Sequence, residues 1–175
     1  MTAAVSESLG QDPMIRLCRE QDLGRLTEIY NQAVLDGGST ADLEPVSREA
    51  RRDWLRVHRP DQGHPVMVVE VEGEVQAFGS LSSYYDRPGY AKTCELGYYV
   101  DRSARGRGLA TVLVKALIDA AKKSGMRMVV AVIFDDNPGT KGVLGHFGFQ
   151  RFGLLPKGAA DRYEVHDVSY WVLTL

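Results

Sequence analysis

Cysteine is scarce in this chain: Cys18 and Cys94 are the only two in 175 residues, and neither has partners at metal-ligand spacing. That argues against zinc, and no metal is expected. Both thiols fall in segments that read as strands, where a buried cysteine behaves as a small hydrophobe, and a reducing cytoplasm suits them. Net charge is also small. Lys and Arg number 21 against 23 Asp and Glu, a formal charge of −2 that lacks the basic excess of a nucleic-acid binder. The Arg48–Arg59 segment is locally basic, but Glu49, Asp53 and Trp54 interrupt it, so it reads as a solvated helix face. No apolar run approaches the roughly 18 residues that span a bilayer, so no membrane partner is expected. Residues 1–13 lack the basic and apolar regions of a secretory signal and read as a flexible tail. There is no internal repeat and no low-complexity linker.

What remains is ordinary for one globular domain over residues 14–175: 44% hydrophobic and 25% charged residues. Ile15–Arg19 reads as a strand. Asp22 is placed to cap a helix with Leu23, Leu26, Ile29, Tyr30, Ala33 and Val34 on one face, and Gly37-Gly38 stops it. Ser47 is placed to cap a second helix reaching His58. Val66–Val71 and Val75–Ser83 around Glu72-Gly-Glu74 read as a hairpin. A Tyr-rich loop at 84–91 precedes a strand over Thr93–Val100. A helix to Ser124, a strand over Arg127–Ile133, a short helix after Asn137 and two closing strands complete the order β-α-α-β-β-β-α-β-α-β-β. Its one central β-α-β unit requires a right-handed crossover and hairpins surround it, giving a mixed α/β sheet, mostly antiparallel, with helices on both faces.

The most informative stretch is Val100-Asp-Arg-Ser-Ala-Arg105-Gly-Arg-Gly108-Leu-Ala110. It leads from a strand into a helix whose apolar positions are Leu109, Val112, Leu113, Ala116, Leu117 and Ala120. Free N–H groups at a helix start carry partial positive charge, and glycines let an anion approach the backbone, which suits a pyrophosphate. No Lys-Ser/Thr follows Gly108, which excludes a Walker loop. Gly106-x-Gly108 lacks the third glycine and the later acidic residue of a dinucleotide fingerprint. The spacing that fits is Arg105-x-x-Gly108-x-Ala110.

That pattern resembles the coenzyme A loop of the GNAT superfamily of N-acetyltransferases, and the element order matches that fold over roughly residues 14–175. Within the superfamily the chain is similar to the phosphinothricin and methionine sulfoximine acetyltransferases. Ile29-Tyr-Asn31, Arg87-Pro-Gly-Tyr90, Thr93-Cys-Glu95, Tyr99-Val100, the loop Arg105–Ala110 and Asn137 through Gly148-Phe149 carry this resemblance. It implies acetyl transfer from acetyl-CoA to the amino group of a small amino-acid-like acceptor, and a homodimer. It further implies that Tyr99 and Val100 meet the pantetheine arm, that Arg105, Gly106, Arg107, Gly108, Leu109 and Ala110 hold the pyrophosphate, and that Asn137 bonds the cofactor. An N-cap position would explain Asn137 equally.

Amine attack on a thioester requires a group to take the proton of the substrate ammonium. Glu95 is the candidate base: a charged residue in an apolar strand, sharing a face with Gly97 and Tyr99, at the position of the family's general base. A glutamate on a solvated strand face is the competing reading. Tyr85 and Arg87 are the candidate acceptor-binding residues, with loop packing and an internal salt bridge as their alternatives. Three departures from the family pattern matter. Leu144 stands where a proton-donating side chain is common, Tyr85 stands where Arg or Lys would suit a carboxylate, and Ala41 and Ala91 replace bulkier residues, implying a wider or more apolar acceptor pocket. His146 reads as a surface or packing residue, and His58, His64 and His166 as surface or hinge residues. A non-catalytic acetyl-CoA sensor and a protein or peptide N-acetyltransferase are the alternative functions.

Overall fold

The computed structural model describes residues 12–175; most of the expected tail thus lies outside the described residues. The elements are β1 (Met14–Leu17), α1 (Leu23–Asp36), α2 (Arg48–Val57), β2 (Val66–Val71), β3 (Glu74–Ser83), β4 (Thr93–Val100), α3 (Leu109–Lys123), β5 (Met128–Phe134), α4 (Pro138–His146), β6 (Gln150–Ala160) and β7 (Val165–Thr174). Their order is the one the sequence predicts. Two ends differ. β1 stops at Leu17 because Asp22 accepts the Arg19 N–H at 2.8 Å and draws the chain into a tight turn, leaving Cys18 beyond the strand. Asp22 therefore does not cap α1 with its side chain; its carboxylate is held by Arg16 at 2.7 and 3.0 Å. Ser47 does cap α2, accepting the Ala50 N–H at 3.1 Å.

The strands form one sheet in the order β1-β2-β3-β4-β5-β7-β6, in which β4 and β5 are parallel and every other neighbouring pair is antiparallel. One face buries Leu26, Ile29 and Val34 of α1 against Val66, Val68, Val75 and Phe78. The other buries Leu109, Leu113, Val114 and Leu117 of α3, with Leu144 of α4, against Val69, Leu81, Cys94, Leu96 and Val129. Each fully buried aliphatic side chain contributes about 1.5–3 kcal/mol, so these two clusters supply most of the driving force. Gly79 sets how closely α3 lies on β3: a Cβ there would meet Leu117 Cδ1 and the Gly97 carbonyl oxygen, each at 2.9 Å.

Asp101 closes β4. Its buried carboxylate accepts from Arg25 at 2.6 Å, Gln32 at 2.9 Å and the Ser103 N–H at 2.8 Å. The chain is thereby fixed just before the glycine loop. Burial alone would raise the Asp101 pKa, but the hydrogen bonds from Ser103, Gln32 and Arg25 win and hold it well below the carboxylate range.

Candidate active site

β4 and β5 separate after three residue pairs. Thr93, Cys94 and Glu95 face Met128, Val129 and Val130 in register, and beyond Glu95 the β5-facing edge of β4 has no strand partner among the described residues. The opposite edge stays paired with β3 as far as Ala77 and Val100. The gap is a cleft lined by Leu96–Tyr99, by Ala131–Phe134 and by Asn137, Thr140 and Leu144. Backbone polar groups on such an edge need water or a ligand.

A larger cavity, about 680 Å³, shares Tyr98, Tyr99, Asn137 and Thr140 with this cleft and extends to Val100 and the start of α3. Gly108 is the N-cap of α3, and Gly106 and Gly108 have φ of 76° and 78°, the left-handed region that favours glycine. A Cβ at either would meet nothing within 4 Å, so the space before the loop is open. The first N–H groups of α3, at Leu109, Ala110 and Thr111, have no intrahelical partner and border the cavity. Leu109 can contribute only backbone, since its side chain is buried in the core. Arg105 is bound to Asp36 at 3.0 Å, beside Arg102 at 2.6 Å, whereas Arg107 is exposed and has no ion-pair partner among the described residues. Asn137 caps α4, accepting the Thr140 N–H at 3.0 Å, and its amide donates to the Gly38 carbonyl at 3.2 Å. It therefore fills the N-cap position while bordering both cavities.

On the other face of β4 lies a pocket of about 310 Å³, lined by Glu95, Gly97 and Tyr99 together with Ser80, Ser82, Tyr30, Asp42, Arg51 and Trp54. Strand alternation puts the three β4 residues together, as expected. Glu95 is half-buried and has no hydrogen-bond partner among the described residues, and burial raises its pKa. Tyr99 packs edge-on against Tyr30 at 4.9 Å and against Phe78 at 5.5 Å, and burial pushes its hydroxyl far above the ordinary tyrosine value. Tyr99 lines the pocket and both cavities, so the strand carrying Glu95 is the wall between them.

Residues 25–149 match the model of the acetyltransferase (GNAT) family. The chain belongs to this family. It is 34% identical to the phosphinothricin N-acetyltransferase of Streptomyces coelicolor over 87% of this chain and 90% of that one. It is also 34% identical to the L-methionine sulfoximine/L-methionine sulfone acetyltransferase of Pseudomonas aeruginosa, over 88% and 90%. Among solved structures it superposes with TM-score 0.86 and 26% identity on a GNAT superfamily phosphinothricin acetyltransferase from Sinorhizobium meliloti in complex with acetyl-CoA, covering 93% of this chain and 88% of that one.

Within this GNAT domain, Tyr85 and Arg87 are not among the residues lining the Glu95 pocket. Tyr85 is 57% exposed and packs with Tyr84 and Tyr90, at 5.1 and 5.2 Å between ring centroids, and Arg87 is exposed beside them. Ala41 and Ala91 are exposed as well, and the pocket is not apolar, since it carries Glu95, Asp42 and Arg51. Leu144 is fully buried in the core under the cleft.

Arg51 is the residue that sequence reasoning missed. The basic segment around it is not simply a solvated face: Arg51 is only 5% exposed, and it lies three residues before Trp54, which packs on Phe78. The Arg-x-x-Trp spacing puts both on one helix face and was the available signal. Two histidines are also not surface or hinge residues. His58 donates from Nδ1 to the Trp54 carbonyl at 2.7 Å, so its neutral Nε2 accepts from Ser82 Oγ at 2.8 Å; burial lowers its pKa. His166, 4% exposed, lies between Asp136 at 2.9 Å and Asp161 at 3.0 Å. Asp136, Glu164 and His166 are also the one metal-ligand-like group among the described residues, but both ring nitrogens of His166 are occupied by the aspartates.

Proposed function

We propose that this chain transfers the acetyl group of acetyl-CoA directly to the amino group of a small acceptor of the amino-acid type. The observation that carries this reading is the meeting of two unlike cavities at one strand: one ends on the glycine loop at the start of α3, the other contains a desolvated carboxylate. The names of the relatives support the acceptor class. In this reading the N–H groups of Arg105–Ala110 take the pyrophosphate, and the free edge of β4 at Tyr99 and Val100 takes the pantetheine amides. Asn137 orders the rim of the cofactor cavity. Acetyl-CoA supplies the activated acyl group.

Glu95 removes a proton from the acceptor ammonium, directly or through water, and the amine then attacks the thioester carbon. A raised pKa makes Glu95 a stronger base than an exposed carboxylate. Leu144 has no proton to give, so the departing thiolate takes one from solvent. That same leucine favours the second reading, a sensor that binds acetyl-CoA without turnover. Release of free thiol, measured across amino acids, sulfoximines, polyamines and peptides, separates the two: transfer to none of them, with acetyl-CoA still bound, would leave the sensor.

We further read residues 14–175 as one catalytic domain working as a homodimer in the cytoplasm. No helix of the described residues is long and apolar enough to cross a membrane. Exposed Phe152, Leu154, Leu155 and Val165 on the final hairpin offer an apolar surface for a second copy. Light scattering at micromolar concentration tests this, and a monomer would remove it.

A further inference from the structure

The pocket beside Glu95 holds a buried cation with no ion-pair partner among the described residues. Arg51 forms no ion pair within 4.0 Å among the described residues and its Nε is buried without a partner; the Asp42 charge acts on it only at longer range. The guanidinium instead lies among aromatic rings, 3.9 Å from the centroid of Tyr30, 4.7 Å from Trp54 and 5.9 Å from Phe78. Ring faces offset only part of the cost of desolvating a cation. An unpaired buried charge costs more than such contacts return. The arrangement is therefore incomplete as a structural element and complete only with an anion in the pocket.

The pocket's other ionic groups have the opposite sign. Glu95 and Asp42 line it, and Asp42 is held in place by the Tyr30 hydroxyl at 2.6 Å. Neither carboxylate forms an ion pair with Arg51, which leaves its Nε without a partner. A cavity of about 310 Å³ with carboxylates and one free guanidinium is matched by a small zwitterion.

We propose that Arg51 is the residue that binds the acceptor's carboxylate and so sets the enzyme's preference for amino acids over plain amines. The inference rests on the reading of this pocket as the acceptor site. A planar guanidinium whose Nε–H is unpartnered can donate to a carboxylate in a charge-assisted contact. Tyr30 and Trp54 fix its plane, so little side-chain freedom is lost on binding. With the carboxylate on Arg51, the acceptor's ammonium is directed to the carboxylate side of the pocket, toward Glu95. No arginine or lysine from the loop at residues 84–91 is required.

The test compares L-methionine sulfone with its carboxamide, which keeps the amine and the side chain but not the anion. Equilibrium binding is measured on protein loaded with coenzyme A, and kcat/KM is measured with acetyl-CoA. The native protein is expected to favour the acid at least tenfold by both measures. Arg51→Gln should lower kcat/KM for the acid at least tenfold, mainly through KM, with acetyl-CoA affinity and the carboxamide's kcat/KM unchanged. Arg51→Lys should restore part of the preference. Equal loss for acid and carboxamide would assign Arg51 to packing alone, and equal affinity of the native protein for both would overturn the proposal even if neither variant folds. Turnover of polyamines with no preference for an acid would retain the acetyltransferase and remove the Arg51 assignment. Binding of the acid without any acetyl transfer would retain Arg51 and overturn the enzyme reading.

Discussion

Asp161 accepts the backbone N–H of Gly38 at 2.7 Å, joining the turn between β6 and β7 to the loop after α1. The same carboxylate takes the N–H groups of Tyr163 at 2.7 Å and Glu164 at 2.9 Å, and His166 Nε2 at 3.0 Å. Because Gly38 and Asn137 border the cavity proposed for acetyl-CoA and bond to each other, this carboxylate supports one wall of it. Asp161→Ala leaves several buried donors unpaired and is expected to cost about 3 kcal/mol of unfolding free energy. Acetyl-CoA affinity should fall with it. Urea titration and calorimetry check the two effects; a change under 1 kcal/mol would show that water replaces the carboxylate.

The pairing also predicts a pH dependence. Burial would lower the His166 pKa, but the hydrogen bonds that its ring donates to Asp136 and Asp161 outweigh it and the value is raised. Its contribution is thus fully present below the unfolded histidine value of about 6.5, and is lost as pH rises through the higher folded value. His58 shifts the other way, so the total curve mixes the two. The difference in unfolding free energy between the native protein and His166→Asn isolates the first and should shrink between pH 6 and pH 9. Asp101 and Asp161 are both depressed, and their contributions are lost as pH falls below the ordinary carboxylate value of about 3.9. A flat difference curve would show that folding leaves the His166 pKa unchanged.

At the glycine loop, Gly108→Val should abolish measurable acetyl-CoA binding while the fold survives. The added side chain meets no protein atom within 4 Å, so it projects into the space proposed for the pyrophosphate. The left-handed φ of 78° adds strain on the order of 1–2 kcal/mol. Arg107→Ala should cost less than tenfold, and less still at high salt, because an exposed cation is screened. Calorimetric titration decides: unchanged affinity in folded Gly108→Val would send the pyrophosphate elsewhere.

Glu95→Gln should bind acetyl-CoA normally and transfer about 10²- to 10⁴-fold more slowly. Raising the pH should narrow the gap, since more acceptor arrives as free amine. The stability effect has the opposite sign to most buried changes. A raised carboxyl pKa means that folding disfavours the ionised form, so the native protein loses stability as pH rises past the ordinary glutamate value. At neutral pH the Gln variant should be at least as stable as the native protein. A near-native rate with a good acceptor would remove Glu95 from the mechanism.

The sequence by itself determined the element order, the strand alternation that puts Glu95, Gly97 and Tyr99 on one face, the glycine loop at the start of α3 and the Ser47 cap. Each depends on residues close together in the chain, where periodicity, capping and left-handed glycines act locally. Tertiary structure decided what depends on packing between distant segments. The splaying of β4 from β5 comes from two strands separated by a crossover helix. Arg51 looked like one basic residue among several on α2, and only the docking of that helix over Tyr30 and Phe78 buries it and places it in the pocket that Glu95 lines. His166 carries no pattern with its neighbours, because its partners come from the end of β5 and from the turn before β7. Charge in a helical segment reads as solvated until a second element covers it, and no local rule states which face that element will cover.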